Sequence, residues 1–413
     1  ADAQFNMRNG HDFNINNGGG DLFGAGNVIR SGNGELRFYG NNPEWTGHLL
    51  NASGGLSLNT AGALGGLAGL RLERNTLFQY DADSTTVNEI RDRLPDDLAV
   101  FSNGWTRLRL NATSGAHSGI EKVGVVTVEA GVMGLEYNLG ADLVAGAARV
   151  TGDYAGWHFD EIIRMPGSIV AVRNLDSGTG FGGGSFGSSP ADTANKAVLM
   201  VNSAPLAIGG DGTSFNNSIA PGFFGGVREL WSNLAGTGQL FTEEGASRHL
   251  MTVEPGINPE TGLVTNLIRP LQMDEYRSLG ISDNTNLATP DSIELDDTAT
   301  GQNVAFLGRT GDALGGDLFT GRRNSTLKLS GDLEINSLSL MSESFVNGSA
   351  ASRGNTSTVI INDAATLTIA SGVLNSVNVG VQDRNGAAHS TTTNADIRSF
   401  IQGGRLDFNG KEA

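Results

Sequence analysis

Short runs of alternating apolar and polar residues fill the stretch 324–380 and constrain the fold more than any other feature. Each run sets a polar side chain between two aliphatic ones, as at Lys328, Glu334 and Thr368. Alternation at period two places successive side chains on opposite faces of a half-buried strand, so the stretch predicts a series of short strands. The aliphatic pairs are Leu327 and Leu329, Leu333 and Ile335, Leu338 and Leu340, Val359 and Ile361, Leu367 and Ile369, and Val377 and Val379.

Small or turn-forming residues divide these strands at Ser330-Gly331, Asn336-Ser337, Asn362-Asp363 and Ser371-Gly372. Many short strands at near-regular spacing are typical of a chain that winds repeatedly on itself around a column of aliphatic side chains. A sandwich of hairpins is the alternative, but the Asn-Gly and Asp-Gly turns of tight hairpins are scarce here. We therefore predict an all-β fold and favour a β-solenoid.

Three segments differ in how regular this pattern is. Residues 1–175 are predicted to form N-terminal solenoid coils, and 301–413 form the most regular coils, which we expect to continue beyond the chain end. Residues 176–300 hold most of the ten prolines and few strand pairs, which predicts loop-decorated coils or a small insertion. The pairs of the first segment are Leu36 and Phe38, Leu56 and Leu58, Leu70 and Leu72, Leu108 and Leu110, Val126 and Val128, and Leu135 and Tyr137.

Composition narrows the classes of partner. The 413 residues carry a formal net charge of −17, which opposes nucleic acid and anionic membranes as partners. Cysteine is absent, which excludes disulfides, thiolate metal sites and cysteine nucleophiles. No apolar run approaches the roughly 20 residues that span a bilayer, so we predict no transmembrane segment.

Candidate catalytic groups are weak. Glycan-cleaving sites need Asp or Glu side chains on adjacent strands of one face, whereas Asp160/Glu161/Arg164 and Glu243/Glu244/Arg248 are sequence neighbours and typical of charged turns. The histidines occur singly, without the paired spacing of a metal site; they are His11, His48, His117, His158, His249 and His389. We predict no catalytic residue and no enzymatic activity.

Calcium is the one cofactor for which the sequence offers candidates. The phrase "TPDSIELDDTATGQN" gathers Asp291, Glu294, Asp296 and Asp297, and Ca²⁺ prefers oxygen ligands. The phrase has neither the EF-hand spacing nor the nonapeptide repeat of calcium-binding β-rolls. These four residues are kept as calcium candidates beside the alternative of a charged surface turn.

The phrase "GNGELRFYGNNPEWTGHLLNASGGLSLNTAGALGGLAGLRL" resembles the autotransporter-associated β-strand repeat. "TNLIRPLQMDEY", "EINSLSL" and "ATLTIASG" resemble the later part of large surface proteins that carry this repeat in planctomycete- and verrucomicrobium-like bacteria. The resemblance implies a right-handed parallel β-helix, and the proline-rich middle third is predicted to form loops extruded from it. The resemblance also implies an extracellular or bacterial cell-surface passenger with structural or adhesive work.

Two classes of function follow. The first is a non-enzymatic surface fibre; the alternative is a carbohydrate-active or glycan-binding β-helix with a site on the middle loops. The chain stops soon after the strand-like Leu406 and Phe408, without an amphipathic helix to cover the last coil. Because uncovered strand edges invite pairing, we expect a homo-oligomer or filament, or continuation into a larger parent chain, with possible cell-surface or glycan contacts.

Overall fold

A computed structural model describes residues 2–7, 11–15, 22–59, 62–81, 92–111, 119–138, 154–174, 196–212, 215–225, 249–271, 275–281, 291–309, 323–342, 355–378 and 398–407. Strands make up most of these residues and no α-helix occurs among them, which confirms the predicted all-β class. Within the same ranges, no helix is long and apolar enough to cross a membrane.

The chain divides into two compact units. Unit 1 comprises Ala1–Pro205, Gly222–Val227 and Val253–Pro270, and unit 2 comprises Leu206–Pro221, Arg228–Thr252 and Leu271–Ala413. The middle segment of the sequence, 176–300, contributes residues to both units.

Unit 1 contains two parallel ladders of strands through which the chain passes alternately. Ladder A stacks β1 (Ala3–Met7), β3 (Val28–Gly32), β5 (His48–Asn51), β7 (Gly69–Leu72), β9 (Val100–Asn111), β10 (Gly119–Asn138), β11 (Tyr154–Arg164) and β13 (Lys196–Ser203). Ladder B stacks β2 (Phe13–Ile15), β4 (Glu35–Phe38), β6 (Gly54–Asn59), β8 (Thr76–Asp81), the second halves of β9 and β10, β12 (Ile169–Asn174) and β14 (Phe223–Gly225). We call one pass through both ladders a winding.

Glycines form the corners at which β9 and β10 cross from ladder A to ladder B. Gly104 (φ +101°) and Gly131 (φ +76°) are paired across the two strands, and both have left-handed backbone that favours glycine. A Cβ on Gly131 would lie 2.5 Å from the Gly104 carbonyl oxygen, so the corners stack only because neither residue carries a side chain.

Side chains at the turns link successive windings. The Asn27 Oδ1 atom accepts a hydrogen bond from the backbone N–H of His48, 21 residues later, at 3.0 Å. In the same way Asp2 accepts from the Asn27 N–H, and Asp12 accepts from the Glu35 N–H. Backbone groups at a turn lack ladder partners, so the Asn- and Asp-rich turns supply the missing acceptors.

The core of unit 1 confirms the predicted alternation. All six apolar pairs of the first segment are buried. Aromatic rings join them: Trp45 is buried, stacks on Phe38 with ring centroids 6.2 Å apart, and donates its indole N–H to the Gly26 carbonyl at 2.7 Å. Trp157 is also buried and stacks on Phe159.

A hairpin follows the parallel strands. It consists of β15 (His249–Ile257) and β16 (Val264–Pro270), with the Asn258 N–H donating to the Leu263 carbonyl across its turn. β16 pairs antiparallel with β13, with Met200 opposite Leu267. An antiparallel strand therefore ends the parallel order of ladder A in unit 1.

Unit 2 also has two parallel ladders. One stacks β17 (Arg277–Ile281), β19 (Asn303–Arg309), β21 (Leu333–Ser342) and β22 (Asn355–Asn378); the other stacks β18 (Asp291–Glu294), β20 (Arg323–Leu329) and β22. β23 (Arg398–Asp407) pairs with β22 along both halves, and a 3-10 turn covers Asp297–Ala299.

The core of unit 2 supports the predicted register. Leu367 and Ile369 are fully buried and Thr368 between them is half-buried, while Lys328 and Glu334 are exposed. The side chains of Leu340 and Val377, and Val379 as a whole, lie outside the described part.

The predicted strand breaks of this region were mostly wrong. Asn336-Ser337 lies inside β21, while Asn362-Asp363 and Ser371-Gly372 lie inside β22. The chain turns these corners by register shifts, for example between Ile335 and Ser337, instead of ending the strand.

Candidate functional site

Two of the four calcium candidates, Asp296 and Glu294, have protein partners for their side chains. Asp296 caps the 3-10 turn by accepting from the Thr298 N–H at 3.1 Å, and its carboxylate lies 4.0 Å from the Arg277 guanidinium. Asp297 begins that turn, and Glu294 accepts a hydrogen bond from the Ser330 hydroxyl. The Asp291 side chain lies outside the described part. Among the described residues no three His, Cys, Asp or Glu side chains form a group that could hold a metal ion.

The first candidate catalytic group is not brought together. Asp160 accepts from the Asn202 amide at 2.6 Å, whereas the Arg164 guanidinium donates to the Ser168 carbonyl at 2.6 Å. Glu161 is half-buried on the same strand. Glu243, Glu244 and Arg248 lie outside the described residues.

The described histidines fall in different places. His11 and His48 are exposed, and His158 is half-buried within a network of amides. The side chain of His249, and His117 and His389 as a whole, lie outside the described part.

A cluster of polar and aromatic side chains on the outer face of ladder A is the best candidate for a binding site. We call Arg71, Glu73, Phe101, Asn103 and Glu129 the Arg71 cluster. Arg71 lies between the buried Leu70 and Leu72, and Phe101 lies between the buried Val100 and Ser102. Strand alternation therefore turns both outward, and the ladder register places them opposite each other.

Hydrogen bonds fix the Arg71 side chain. Its Nε atom donates to Glu73 at 2.6 Å, and its Nη1 and Nη2 atoms donate to the two Glu129 oxygens at 3.2 and 2.7 Å. The guanidinium lies 6.0 Å from the centre of the Phe101 ring, and the Asn103 amide donates to Glu73 at 3.2 Å. The hydrogen bonds that Arg71 donates to Glu129 and then to Glu73 raise its pKa, because both stabilise its charged form.

An exposed tryptophan follows on the same strand. Trp105 stands just past the Gly104 corner and is 42% exposed, and Phe101 is 37% exposed. Trp45 and Trp157 are buried, and Trp231 lies outside the described residues. Aromatic faces next to oriented carboxylate, guanidinium and amide groups offer both stacking and hydrogen bonding to a polar ligand.

Sequence reasoning missed a buried ionisable group in unit 1. Glu121 is fully buried, and its carboxylate accepts from the backbone N–H groups of Leu94 at 2.7 Å and Arg93 at 3.2 Å. Burial raises the pKa of Glu121 to about 8, against those hydrogen bonds. A signal was present, since Glu121 stands two residues before the inward-facing Val123.

A second such group is Arg30. Its guanidinium is buried and donates to the Gly32 carbonyl at 3.1 Å. Burial lowers the pKa of Arg30 to about 10, although the negative charges of Glu35 and Asp12 oppose the shift. The sequence shows Arg30 only as a polar residue beside Val28 and Ile29.

Comparison with known proteins yields no relative: no family model, no curated protein and no solved structure matches the chain.

Proposed function

We propose that this chain is a right-handed parallel β-helix that serves as a non-enzymatic structural or adhesive fibre. The supporting observation is the alternation of the chain between two parallel ladders, in which Val28, Leu49 and Leu70 stack in ladder A and Leu36, Leu56 and Phe78 stack in ladder B. The described strands of each winding pair with those of the windings before and after it. Such a stack grows in one direction, which suits a protein that extends away from a surface.

The handedness follows from a general rule. Parallel strands of one sheet joined by a crossover are right-handed in the great majority of proteins, because the strand twist favours that path. Each passage from ladder A through ladder B and back is such a crossover. We therefore propose a right-handed coil in both units.

The proposed setting is the bacterial cell surface or the extracellular medium. It rests on the resemblance of the N-terminal phrase to the autotransporter-associated repeat. It also rests on the absence of cysteine and on turns whose Asn and Asp side chains bond the backbone N–H groups of the next winding. Copies of the chain are proposed to associate as an oligomer or filament, or the chain is a section of a longer fibre.

Electron microscopy and light scattering of the purified chain test this proposal. Rod-shaped particles that lengthen with concentration are the expected result for a self-assembling fibre. Incubation with a panel of polysaccharides should release no reducing or unsaturated ends. A compact particle, or turnover that one carboxylate substitution abolishes, would contradict the structural role.

Glycan binding is a second candidate, and the exposed Trp105, two residues after Asn103 of the Arg71 cluster, favours it. A sugar ring would stack on an aromatic face while its hydroxyls bond to the carboxylate and amide groups. Binding to a glycan array is expected to fall at least about tenfold in Trp105→Ala and Arg71→Ala, which corresponds to the loss of one or two strong contacts. Phe23→Ala removes a ring that is 79% exposed elsewhere in unit 1 and is the matched control.

A further inference from the structure

The turn of the β15–β16 hairpin lies over the outer face of ladder A. Glu260 Oε1 accepts from the Ile120 N–H at 2.9 Å, at the start of β10. The Asn258 amide reaches the His158 ring on β11. These two contacts place the hairpin turn, 258–263, across the ends of two neighbouring strands.

The hydrogen bonds of His158 assign its protonation state. On one side its Nε2 atom lies 2.9 Å from Asn202 Oδ1. The Asn202 amide nitrogen donates to the Asp160 carboxylate, which fixes the amide orientation and makes Oδ1 an acceptor. His158 Nε2 must therefore carry a proton.

On the other side, the Asn258 amide faces the second ring nitrogen. Asn258 Oδ1 accepts from the backbone N–H groups of Glu260 at 2.9 Å and Thr261 at 3.3 Å, so the amide nitrogen must point away from them. That nitrogen lies 3.5 Å from His158 Nδ1. An amide nitrogen only donates, so this contact favours an unprotonated Nδ1 and a neutral ring.

The charged groups around this ring act in both directions. Burial is the largest cause that lowers the pKa of His158, and Lys122 on β10 adds to it. The hydrogen bond that His158 donates to Asn202 and the negative charges of Asp160 and Glu260 oppose the shift. The net direction is downward, in agreement with the neutral ring that the two amides favour.

Apolar side chains lie on the face that the hairpin turn crosses. In the register of β10, β11 and β13, Ile120 is level with Gly156 and Val198, and Lys122 is level with His158 and Met200. Ile120, Val198, Met200 and Leu267 are buried together as a cluster, although they face away from the Trp157 side of the sheet. This small cluster is separate from the main core.

We propose that the hairpin turn is a pH-dependent latch, shut while His158 is neutral and released when His158 Nδ1 gains a proton. A protonated Nδ1 would set an N–H against the fixed Asn258 N–H group, so the two donors repel and the turn must move. Release frees the Ile120 N–H from Glu260 at the edge of the small cluster of Ile120, Val198, Met200 and Leu267. A lowered pKa means that the latch holds fully above the ordinary histidine value and weakens as the pH falls below it.

Hydrogen–deuterium exchange of the full chain tests the latch. After correction for intrinsic rates, peptides covering 256–266 and 119–123 are expected to exchange faster near pH 5 than near pH 7.5. Each pKa unit between the shut and open states corresponds to about a tenfold change in the opening equilibrium. His48→Gln, at an exposed histidine, should behave like the unmodified chain.

Two variants separate the latch from general acid sensitivity. His158→Gln presents one acceptor and one donor at any pH, so exchange in both peptides should lose its pH dependence. Asn258→Asp keeps an acceptor for the turn N–H groups and places an oxygen near Nδ1, so acid should tighten the turn and the NMR titration of His158 should move to higher pH. Unchanged pH dependence in His158→Gln, acid loosening in Asn258→Asp, or no pH response in the unmodified chain would each overturn the proposal.

Discussion

The two units use the same parallel-ladder plan but fill it with different chemistry. The described core of unit 1 contains Trp157, Tyr80 and the ionisable Glu121 and Arg30, whereas the main cluster of unit 2 is aliphatic except for Phe306. Buried polar groups of unit 2 include amides and hydroxyls, as where Ser337 and Asn336 both donate to Asn303 Oδ1 at 2.7 and 2.8 Å. The winding geometry therefore accommodates ionisable groups in its interior, and among the described residues the buried carboxyl group of Glu121 makes the stability of unit 1 depend on pH.

We expect the largest loss of stability from a charge placed in the aliphatic core of unit 2. Leu367→Asp places an unpaired charge among apolar side chains and should cost roughly 4 kcal/mol in the free energy of unfolding. Thr368→Asp, one residue along on the half-buried face, should cost less than about 1 kcal/mol. Denaturant unfolding followed by exchange in unit 2 peptides measures both. Equal losses would mean that the strand faces are assigned the wrong way round.

The second expected effect is that the stability of unit 1, unlike that of unit 2, depends on pH through Glu121. The raised pKa of Glu121 means that native unit 1 keeps a proton that the unfolded chain releases between its ordinary value of 4.5 and about 8. Unit 1 should be most stable below that range and lose on the order of a few kcal/mol as the pH rises through it.

Glu121→Gln should remove this dependence, because a carboxamide oxygen still accepts from the Leu94 N–H and carries no titrating proton. Exchange of β8 peptides as a function of pH provides the measurement, with Glu129→Gln as the surface control. If unit 2 peptides lost protection over the same range, the contrast between the two cores would be refuted.

A smaller loss of stability is expected when either of two glycines is replaced by alanine. Both Gly131 in unit 1 and Gly301 in unit 2 have positive φ, at +76° and +71°. Alanine at either should cost about 1–2 kcal/mol from left-handed backbone. Gly131→Ala should cost more than Gly301→Ala, because its Cβ would meet the Gly104 carbonyl at 2.5 Å while nothing lies within 4 Å at Gly301. Thermal unfolding of the two variants ranks them, and the reverse order would argue against stacked corners.

The smallest effect concerns the surface. Glu129→Gln weakens the ion pair with Arg71, whose side chain is 39% exposed, and should cost no more than about 1 kcal/mol because solvent screens the charges. The loss should shrink at high salt. A larger loss of unfolding free energy that does not depend on salt would show that the Arg71 cluster stabilises the winding and is not a preformed ligand-binding site.

Alternation in the sequence predicted the faces of the strands well. It identified Leu36 and Phe38 as core residues and Lys328 as an outward residue, because successive side chains of a strand point to opposite faces. Ser339, which it placed on the outer face, is nevertheless fully buried beside the equally buried Ala305, because both faces of β19 and β21 are covered there. Local pattern carries no information about such packing.

The candidate binding site was less accessible to sequence reasoning. Arg71, Phe101 and Glu129 lie far apart in the chain and meet only through the ladder register. The pairing interval changes from winding to winding with the loop lengths, so no fixed spacing could have joined them. Trp105 was visible as an isolated tryptophan, but its exposure depends on the corner at Gly104.

The bonds between turns at a 21-residue interval have a consequence for how such a chain can change in length. Hydrogen bonds from His48 N to Asn27 and from Asn42 Nδ2 to the Ala63 carbonyl both span that interval. Removing residues 49–69 would bring Leu70 to the position of Leu49 above Val28. The longer turn before β8 would take up the one residue by which the Leu56–Phe78 interval exceeds the Leu49–Leu70 interval. A residue lost inside a strand, where no turn absorbs it, would instead turn the rest of that strand's side chains to the opposite face. We therefore expect deletions in this region to be tolerated best when they remove one whole winding, with the turns absorbing differences of a single residue.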